Sequence, residues 1–368
     1  MPQFPSNPYL LALAVSFAVA LVLVWTRSWH GKYSFDTVTG VQKVHQSPVP
    51  RIGGVAVFLG FWSAKMLMPD DVIDVLEPSL AIGLIAFTFG LIEDLTKKVP
   101  VAIRLWATLL PGVVGYFLTG FSLKHFGFDA VDFLLQWSVV SVAFTAFAVC
   151  GMTHAMNMID GFNGLAGWSA VWILTGIGAV ALICGDTHLA LVAGILLAST
   201  LGFLLVNWPW GRLFLGDGGS YFLGASIAWL CVALVNRNQQ ASPFACLLLC
   251  SYPVTEALYS IARRTKARLS SGQPDRMHLH QLVAMGLIYP KYRGKLAPLY
   301  KNSVTGFMVS LLCLPAILFA VLFSGDQALL ITAFLINTLV YIGLYRWARA
   351  RVGSMSHTNS GEHSPSPI

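Results

Sequence analysis

Eleven apolar stretches of 15 to 21 residues divide this 368-residue chain, at 8–25, 52–68, 78–92, 101–119, 133–152, 165–184, 187–206, 219–236, 243–262, 303–323 and 327–345. A helix rises 1.5 Å per residue, so about 20 apolar residues cross the ~30 Å hydrocarbon layer of a bilayer. Each stretch therefore reads as a span. The third, 78–92, is the short one, and one or both of the carboxylates at its ends, Glu77 and Glu93, are expected to be drawn toward the membrane plane. Charged residues make up 11% of the chain and apolar residues 56%, with mean hydropathy +0.69. A soluble globular protein carries about 25% charged residues, so this chain cannot clothe itself in water-facing surface. Soluble enzymes, secreted disulfide scaffolds and disordered chains are excluded. The expected fold is an all-α polytopic membrane protein with about eleven transmembrane helices, forming one domain over 1–345, with a disordered tail at 346–368. No positive charge precedes the first stretch and Arg27 follows it, so it reads as a span and not as a cleavable leader.

Lys and Arg gather in the connections that stay on the cytoplasmic side. With the N-terminus outside, 20 of the 23 fall inside, and only Lys65, Lys124 and Arg237 fall outside. That asymmetry predicts an N-terminus on the outer side and a cytoplasmic C-terminus. The net charge of +7 is then an orientation signal and a contact for anionic lipids, not a nucleic-acid signature.

The polar residues that could do chemistry all fall in the predicted inner connections: 27–51, 93–104, 153–164, 207–220 and 263–302. They include His45 and Arg51; Glu93, Asp94, Lys97 and Arg104; Asn157, Asp160 and Asn163; Asp217; and Asp275, Arg276, His278 and His280. Asp94, Asp160 and Asp217, with the amides of Asn157 or Asn163, are the oxygen ligands that Mg²⁺ takes alongside substrate phosphates. Glycines beside Asp160 and Asp217 allow a diphosphate to approach the backbone closely. Arg51, Lys97, Arg104 and Arg276 can neutralise phosphate oxygens. His278 and His280 diverge by about 200° on a helix but share a face in an extended stretch.

Each motif also has a plainer reading. Glu93 and Asp94 beside Lys97 form an ordinary charge cluster at a helix end, and Asp217 among glycines reads as a turn. Asn157 and Asp160 are good caps for the sixth span. His278-x-His280 lacks a third ligand at zinc spacing. Glu256, inside the ninth span, reads as a structural partner of Arg263 and Arg264.

Taken together and in this order, the segments resemble the polyprenyl-phosphate N-acetylhexosamine-1-phosphate transferase family. Its bacterial members include undecaprenyl-phosphate GlcNAc-1-phosphate transferases of the WecA type and the lipid I synthase of peptidoglycan. The family's D-D-x-x-K motif appears as Glu93-Asp94-Leu95-Thr96-Lys97, with Glu in place of the first Asp. Its N-x-x-D-G-x-D-G segment appears as Asn157 to Gly164, with Asn163 in place of an Asp. Asp217 matches the family's magnesium ligand, and His278-Leu279-His280-Gln281 matches its histidine motif with the last His lost.

The resemblance implies transfer of a sugar 1-phosphate from a UDP-N-acetylhexosamine to undecaprenyl phosphate with release of UMP. It places Mg²⁺ (Mn²⁺ as an alternative) on Asp217 and Asn157. Asp94, Glu93, Asp160 and Lys97 become catalytic, while His45, Arg51, Arg104, Asn157, Asn163, Arg276, His278 and His280 become substrate contacts. The lipid is expected in a groove near the spans at 78–92, 101–119 and 133–152. Altered histidine and D-G-x-D-G motifs favour an initiating enzyme of O-antigen or another surface polysaccharide over lipid I synthase. An intramembrane prenyltransferase and a transporter are the remoter rivals: the first lacks a second aspartate-rich motif here, the second a visible repeat. A homodimer is compatible with the sequence.

Overall fold

The computed structural model describes residues 7–36, 48–268, 275 and 277–360, the last six in backbone only. His45 and Arg276 lie outside the described residues. The chain is helical nearly throughout: α1 (Pro8–Trp25), α2 (Arg27–Ser34), a two-residue antiparallel pair β1 (Phe35–Asp36) and β2 (Val49–Pro50), then α3 (Gly54–Ser63) and a 3₁₀ turn (Ala64–Leu67). There follow α4 (Asp70–Thr96), α5 (Val101–Thr119), α6 (Asp129–Leu135), α7 (Ser138–Ile159), α8 (Leu165–Ile183), α9 (Thr187–Asn207) and α10 (Gly216–Arg237). The last part comprises α11 (Pro243–Leu249), α12 (Ser251–Lys266), α13 (Leu279–Val283), α14 (Tyr289–Lys291), α15 (Pro298–Ser310), α16 (Cys313–Leu322) and α17 (Gln327–Ser360).

Among the described residues nine helices are long and apolar enough to cross a membrane, ten if the bent pair α11–α12 forms one span. The all-α, multi-pass class therefore stands. The expected second span, 52–68, is a shorter apolar helix over Gly54–Leu67.

α10 is the axis of the bundle. It is apolar all round, and every residue from Gly216 to Leu234 is buried, as such a helix must be. Helices α3, α4, α7 and α8 surround it. Small residues set the closest approaches: a Cβ on Gly54 would lie 2.3 Å from the Gly219 nitrogen, and one on Gly90 2.4 Å from the Asp217 carbonyl. Only glycine lets the α3 and α4 backbones come that near to the start of α10.

Four expectations are corrected. The third span is not short: α4 runs 27 residues, about 40 Å, and Glu77 pairs with Lys65 instead of being drawn inward. The fifth span begins at Ser138, after the separate helix α6. The ninth is broken, with α11 and α12 meeting at 77°. Pro253 explains the break, because its ring clashes with the carbonyl four residues back and its nitrogen cannot donate there. That carbonyl belongs to Leu249, the last residue of α11. Finally, the chain does not lose its helix at 346: α17 continues to Ser360.

Candidate active site

Three segments cross at the start of α10. The strip from Pro50 to Gly54 is laced to 214–215, with Phe214 N–H donating to the Pro50 carbonyl at 2.8 Å. Gly53 N–H donates to the Phe214 carbonyl at 2.8 Å, and Gly54 N–H to the Leu215 carbonyl at 2.9 Å. This fixes Arg51 over the first turn of α10. Its Nη2 donates to Asp217 Oδ1 at 2.8 Å, and its Nε lies 3.8 Å from Asp94 Oδ1.

Asp94, on the last turn of α4, is 5% exposed. Its Oδ1 accepts the Asp217 N–H at 3.0 Å and its Oδ2 the Gly218 N–H at 2.8 Å. First-turn amides have no partner within their own helix, and negative charge is favoured there. Asp94 is thus a cap for α10 delivered by a neighbouring helix. Glu93 beside it accepts the Val99 N–H at 2.9 Å and lies 3.6 Å from Arg104 Nη1, which is itself 3.9 Å from Asp217 Oδ2. Lys97 turns away: it closes α4 in the left-handed region at φ 55°, and its Nζ donates to the Phe35 carbonyl at 2.7 Å.

From α7, Asn157 Oδ1 accepts the Ser220 hydroxyl at 2.9 Å. Asp160 ends the same helix. Burial pushes its carboxyl well above the ordinary carboxylate range; Arg51 pulls it back, Asp217 and Asp94 add to the rise, and the Gly216 amide opposes it. Four acids, Glu93, Asp94, Asp160 and Asp217, thus crowd around two guanidiniums, Arg51 and Arg104. Hard oxygen donors crowded closely enough to raise a neighbouring carboxyl suit a divalent cation such as Mg²⁺. Among the described residues no three His, Cys, Asp or Glu form a preformed cage. Mg²⁺ is held by one or two carboxylates together with substrate phosphates.

The turn after α7 is fastened by residues that local sequence spacing gives no means of finding. Asn163, 2% exposed, donates its N–H to Asn302 Oδ1 at 2.7 Å and its Nδ2 to Ser303 Oγ at 3.2 Å. The Gly164 N–H donates to Asn207 Oδ1 at 2.7 Å. These partners lie 43 to 140 positions away.

His278 has an extended backbone, with ψ 150°, ahead of α13. The rings of His278 and His280 stack at 5.5 Å with 9° between their planes, which is the shared face that an extended stretch allows. Burial first, and His278 second, hold His280 well below the ordinary histidine range, so its ring is neutral. It sits against the Phe162 ring at 5.2 Å. Glu256 is not spent on Arg263, which pairs with Asp275; it meets His278 instead, with Nδ1 to Oε1 at 3.1 Å.

A cavity of about 1190 Å³ joins these groups. Arg51, Glu93, Arg104, Asn157, Asp160, Asn163, Asp217, His278 and His280 all line it, whereas Asp94 and Lys97 do not. Away from this polar end, the walls are apolar residues of α5, α7, α10, α11 and α12, reaching Phe126 and Val235. From Asp217 to Val235 along α10 is about 27 Å. The expected groove near spans three to five is met at spans four and five, α5 and α7, while α4 contributes only Glu93 and α10, α11 and α12 add further walls.

The sequence pattern described as Glycosyl transferase family 4 matches residues 78–235. A Bacillus subtilis (strain 168) protein named "Probable undecaprenyl-phosphate N-acetylglucosaminyl 1-phosphate transferase" is 31% identical over 254 residues, covering 67% of this chain and 69% of that one. The chain belongs to glycosyl transferase family 4. Two proteins named "Undecaprenyl-phosphate alpha-N-acetylglucosaminyl 1-phosphate transferase" are also similar. The one from Yersinia pestis is 26% identical over 247 residues, 66% of this chain and 67% of that one. The one from Escherichia coli (strain K12) is 24% identical over 286 residues, 74% and 75% respectively. The family match holds Glu93, Asp94, Asn157, Asp160 and Asp217, while Arg51, Glu256 and the histidine loop lie outside it.

Proposed function

We propose that this family 4 glycosyl transferase moves an N-acetylhexosamine 1-phosphate from a UDP-sugar to undecaprenyl phosphate, giving the undecaprenyl diphosphate sugar and UMP. The observation that carries the reading is the continuity of one cavity, acidic and arginine-rich at the Asp217 end and apolar toward Val235, about 27 Å away along α10. Such a shape suits an amphipathic acceptor whose phosphate must reach a second phosphate compound. Phe147, Leu258 and Ile261 line the cavity and are also more than half exposed, so the apolar part of the cavity reaches the side of the bundle beside α7 and α12, where a lipid tail can enter.

In the reaction, an oxygen of the lipid phosphate attacks the sugar-bearing phosphorus. A new P–O bond forms, the P–O bond to UMP breaks, and UMP leaves with the electron pair. The second pKa of a phosphate is near 6, so the nucleophile is largely ionised at neutral pH without a base. This fits an Asp94 that is occupied by two amides. Two unit charges about 4 Å apart repel by roughly 4 kcal/mol at an effective dielectric near 20. Arg51 and Arg104 offset that repulsion, and neutral His280 adds hydrogen bonding without charge. Bound Mg²⁺, or Mn²⁺ in its place, would neutralise diphosphate oxygens, held by Asp217 with Asp160 and Asn157. His45 and Arg276 are proposed as further substrate contacts.

The finer reading is an enzyme of the bacterial inner membrane with eleven spans, N-terminus out and C-terminus in, that initiates O-antigen or another surface polysaccharide. The test is UMP release by purified protein with undecaprenyl phosphate, Mg²⁺ and a panel of UDP-N-acetyl sugars. Release requiring both lipid and metal is expected. Preference for UDP-MurNAc-pentapeptide would move the enzyme to lipid I synthesis, and silence across the panel from folded protein would refute the reaction.

A further inference from the structure

A fully buried carboxylate stands behind the cavity, in the middle of α12. Glu256 is 0% exposed, and burying an unpaired carboxylate is costly enough that such groups are compensated or replaced. Its compensation comes from the histidine loop. Oε1 lies 3.1 Å from His278 Nδ1, and the Leu279 N–H donates to both carboxylate oxygens at 3.3 Å. Ser260, one turn further along α12, puts its Oγ 3.1 Å from the same ring nitrogen. A carboxylate facing a ring nitrogen accepts from it, so the hydrogen sits on Nδ1. Nε2 is then left toward Asp275 Oδ2, 3.9 Å away, and toward the cavity that His278 lines. The backbone N–H of His278 donates to Gln281 Oε1 at 3.3 Å, and its ring stacks on His280. The imidazole is fixed from behind, below and beside.

We propose that Glu256 is a positioning residue for the transfer. It acts through His278, holding that ring by its Nδ1 hydrogen so that Nε2, when it too carries a hydrogen, donates to the phosphates of the nucleotide sugar. A carboxylate or carbonyl behind the far nitrogen is the usual way to orient a working histidine. This inference rests on the function proposed above and deepens it, because it concerns a residue that touches neither substrate.

The test is a double-mutant cycle in full-length protein, reading kcat/KM for UDP-N-acetylglucosamine with undecaprenyl phosphate, alongside the thermal midpoint in detergent. E256Q keeps the shape and is expected to fold, with kcat/KM lowered about 10- to 100-fold by the misplaced ring. H278Q should lose at least as much, and the E256Q/H278Q double variant no more than H278Q alone. Unchanged turnover in E256Q, or losses that simply multiply, would overturn the inference while leaving the reaction intact. Full turnover in H278Q would instead remove the histidine loop from the nucleotide-sugar site, and the inference with it. If E256Q does not accumulate, Glu256→Asp, which withdraws the carboxylate from Nδ1, carries the same cycle. The ¹⁵N shifts of the His278 ring give a readout independent of turnover: hydrogen on Nδ1 in the native protein, and a mixture in E256Q. A native ring with no hydrogen on Nδ1 overturns the inference whatever the kinetics.

Discussion

Asp94 and Asp217 are both buried acids at the same point, yet they make opposite demands on the fold. Asp94 serves two backbone amides; Asp217 faces guanidiniums and the cavity. Their substitutions should therefore separate stability from activity. Asp94→Ala strands two buried N–H groups, at about 1–3 kcal/mol each, and should lower the thermal midpoint in detergent clearly. Asp217→Ala strands no backbone group. It should fold with a nearly native midpoint while UMP release falls about 10²–10³-fold or more; near-normal release would sink the metal assignment. The residue types at this site were legible from sequence, since carboxylates, amides and arginines on one side of a membrane suit few chemistries. The division of labour was not legible, because the amides that occupy Asp94 lie 123 positions away. Glu256 was misread for the same reason: its nearest basic neighbours in sequence are Arg263 and Arg264, whereas its partner is His278.

At the scale of elements, apolar windows located the helices well and their ends poorly. Hydropathy sees the bilayer thickness, so it trimmed α4 to its apolar middle and missed the turns that carry Asp70 and Asp94. It also passed over the bend at Cys250, which depends on a single Pro253 within the 243–262 window. One joint between elements is acid-sensitive. Asp186 caps α9 through the Leu189 N–H at 3.1 Å, and it accepts Arg237 Nε at 2.7 Å and Nη2 at 3.0 Å from the end of α10. Burial alone would raise its carboxyl, but the hydrogen bonds from Arg237, Leu189 and Asn238 outweigh that and hold it below the ordinary value of 3.8. A depressed carboxyl contributes fully above its unfolded value and loses that contribution as pH falls through the folded one. Asp186→Ala should cost about 1–3 kcal/mol at neutral pH. In thermal melts, the gap between wild type and variant should close as pH drops below 3.8; a gap that persists or widens there would contradict the capping role.

For the whole molecule, the sidedness of the motifs proved the most informative feature of the sequence. Segments as far apart as Arg51 and Asp217, 166 positions, come together because each lies at a helix end on the same side of the bundle. The cavity itself could not be read in advance, since its walls are the faces of five helices whose packing no local window records. Its length makes a prediction of its own. Acceptors with a short prenyl chain should reach the polar end yet fill only part of the apolar wall, so kcat/KM should rise with chain length and then level off. Equal turnover of the shortest and longest chains would show that the apolar walls contribute nothing to recognition.

The exposure of cavity-lining apolar residues on α7 and α12 changes what concentration means for this enzyme. Its lipid substrate does not arrive from solution but from the plane it is dissolved in, so the relevant quantity is the mole fraction of acceptor in the surrounding amphiphile. At fixed total lipid, adding detergent should slow the reaction by surface dilution, and the apparent KM for the acceptor should scale with the amount of detergent. The UDP-sugar, which comes from water, should show no such dependence.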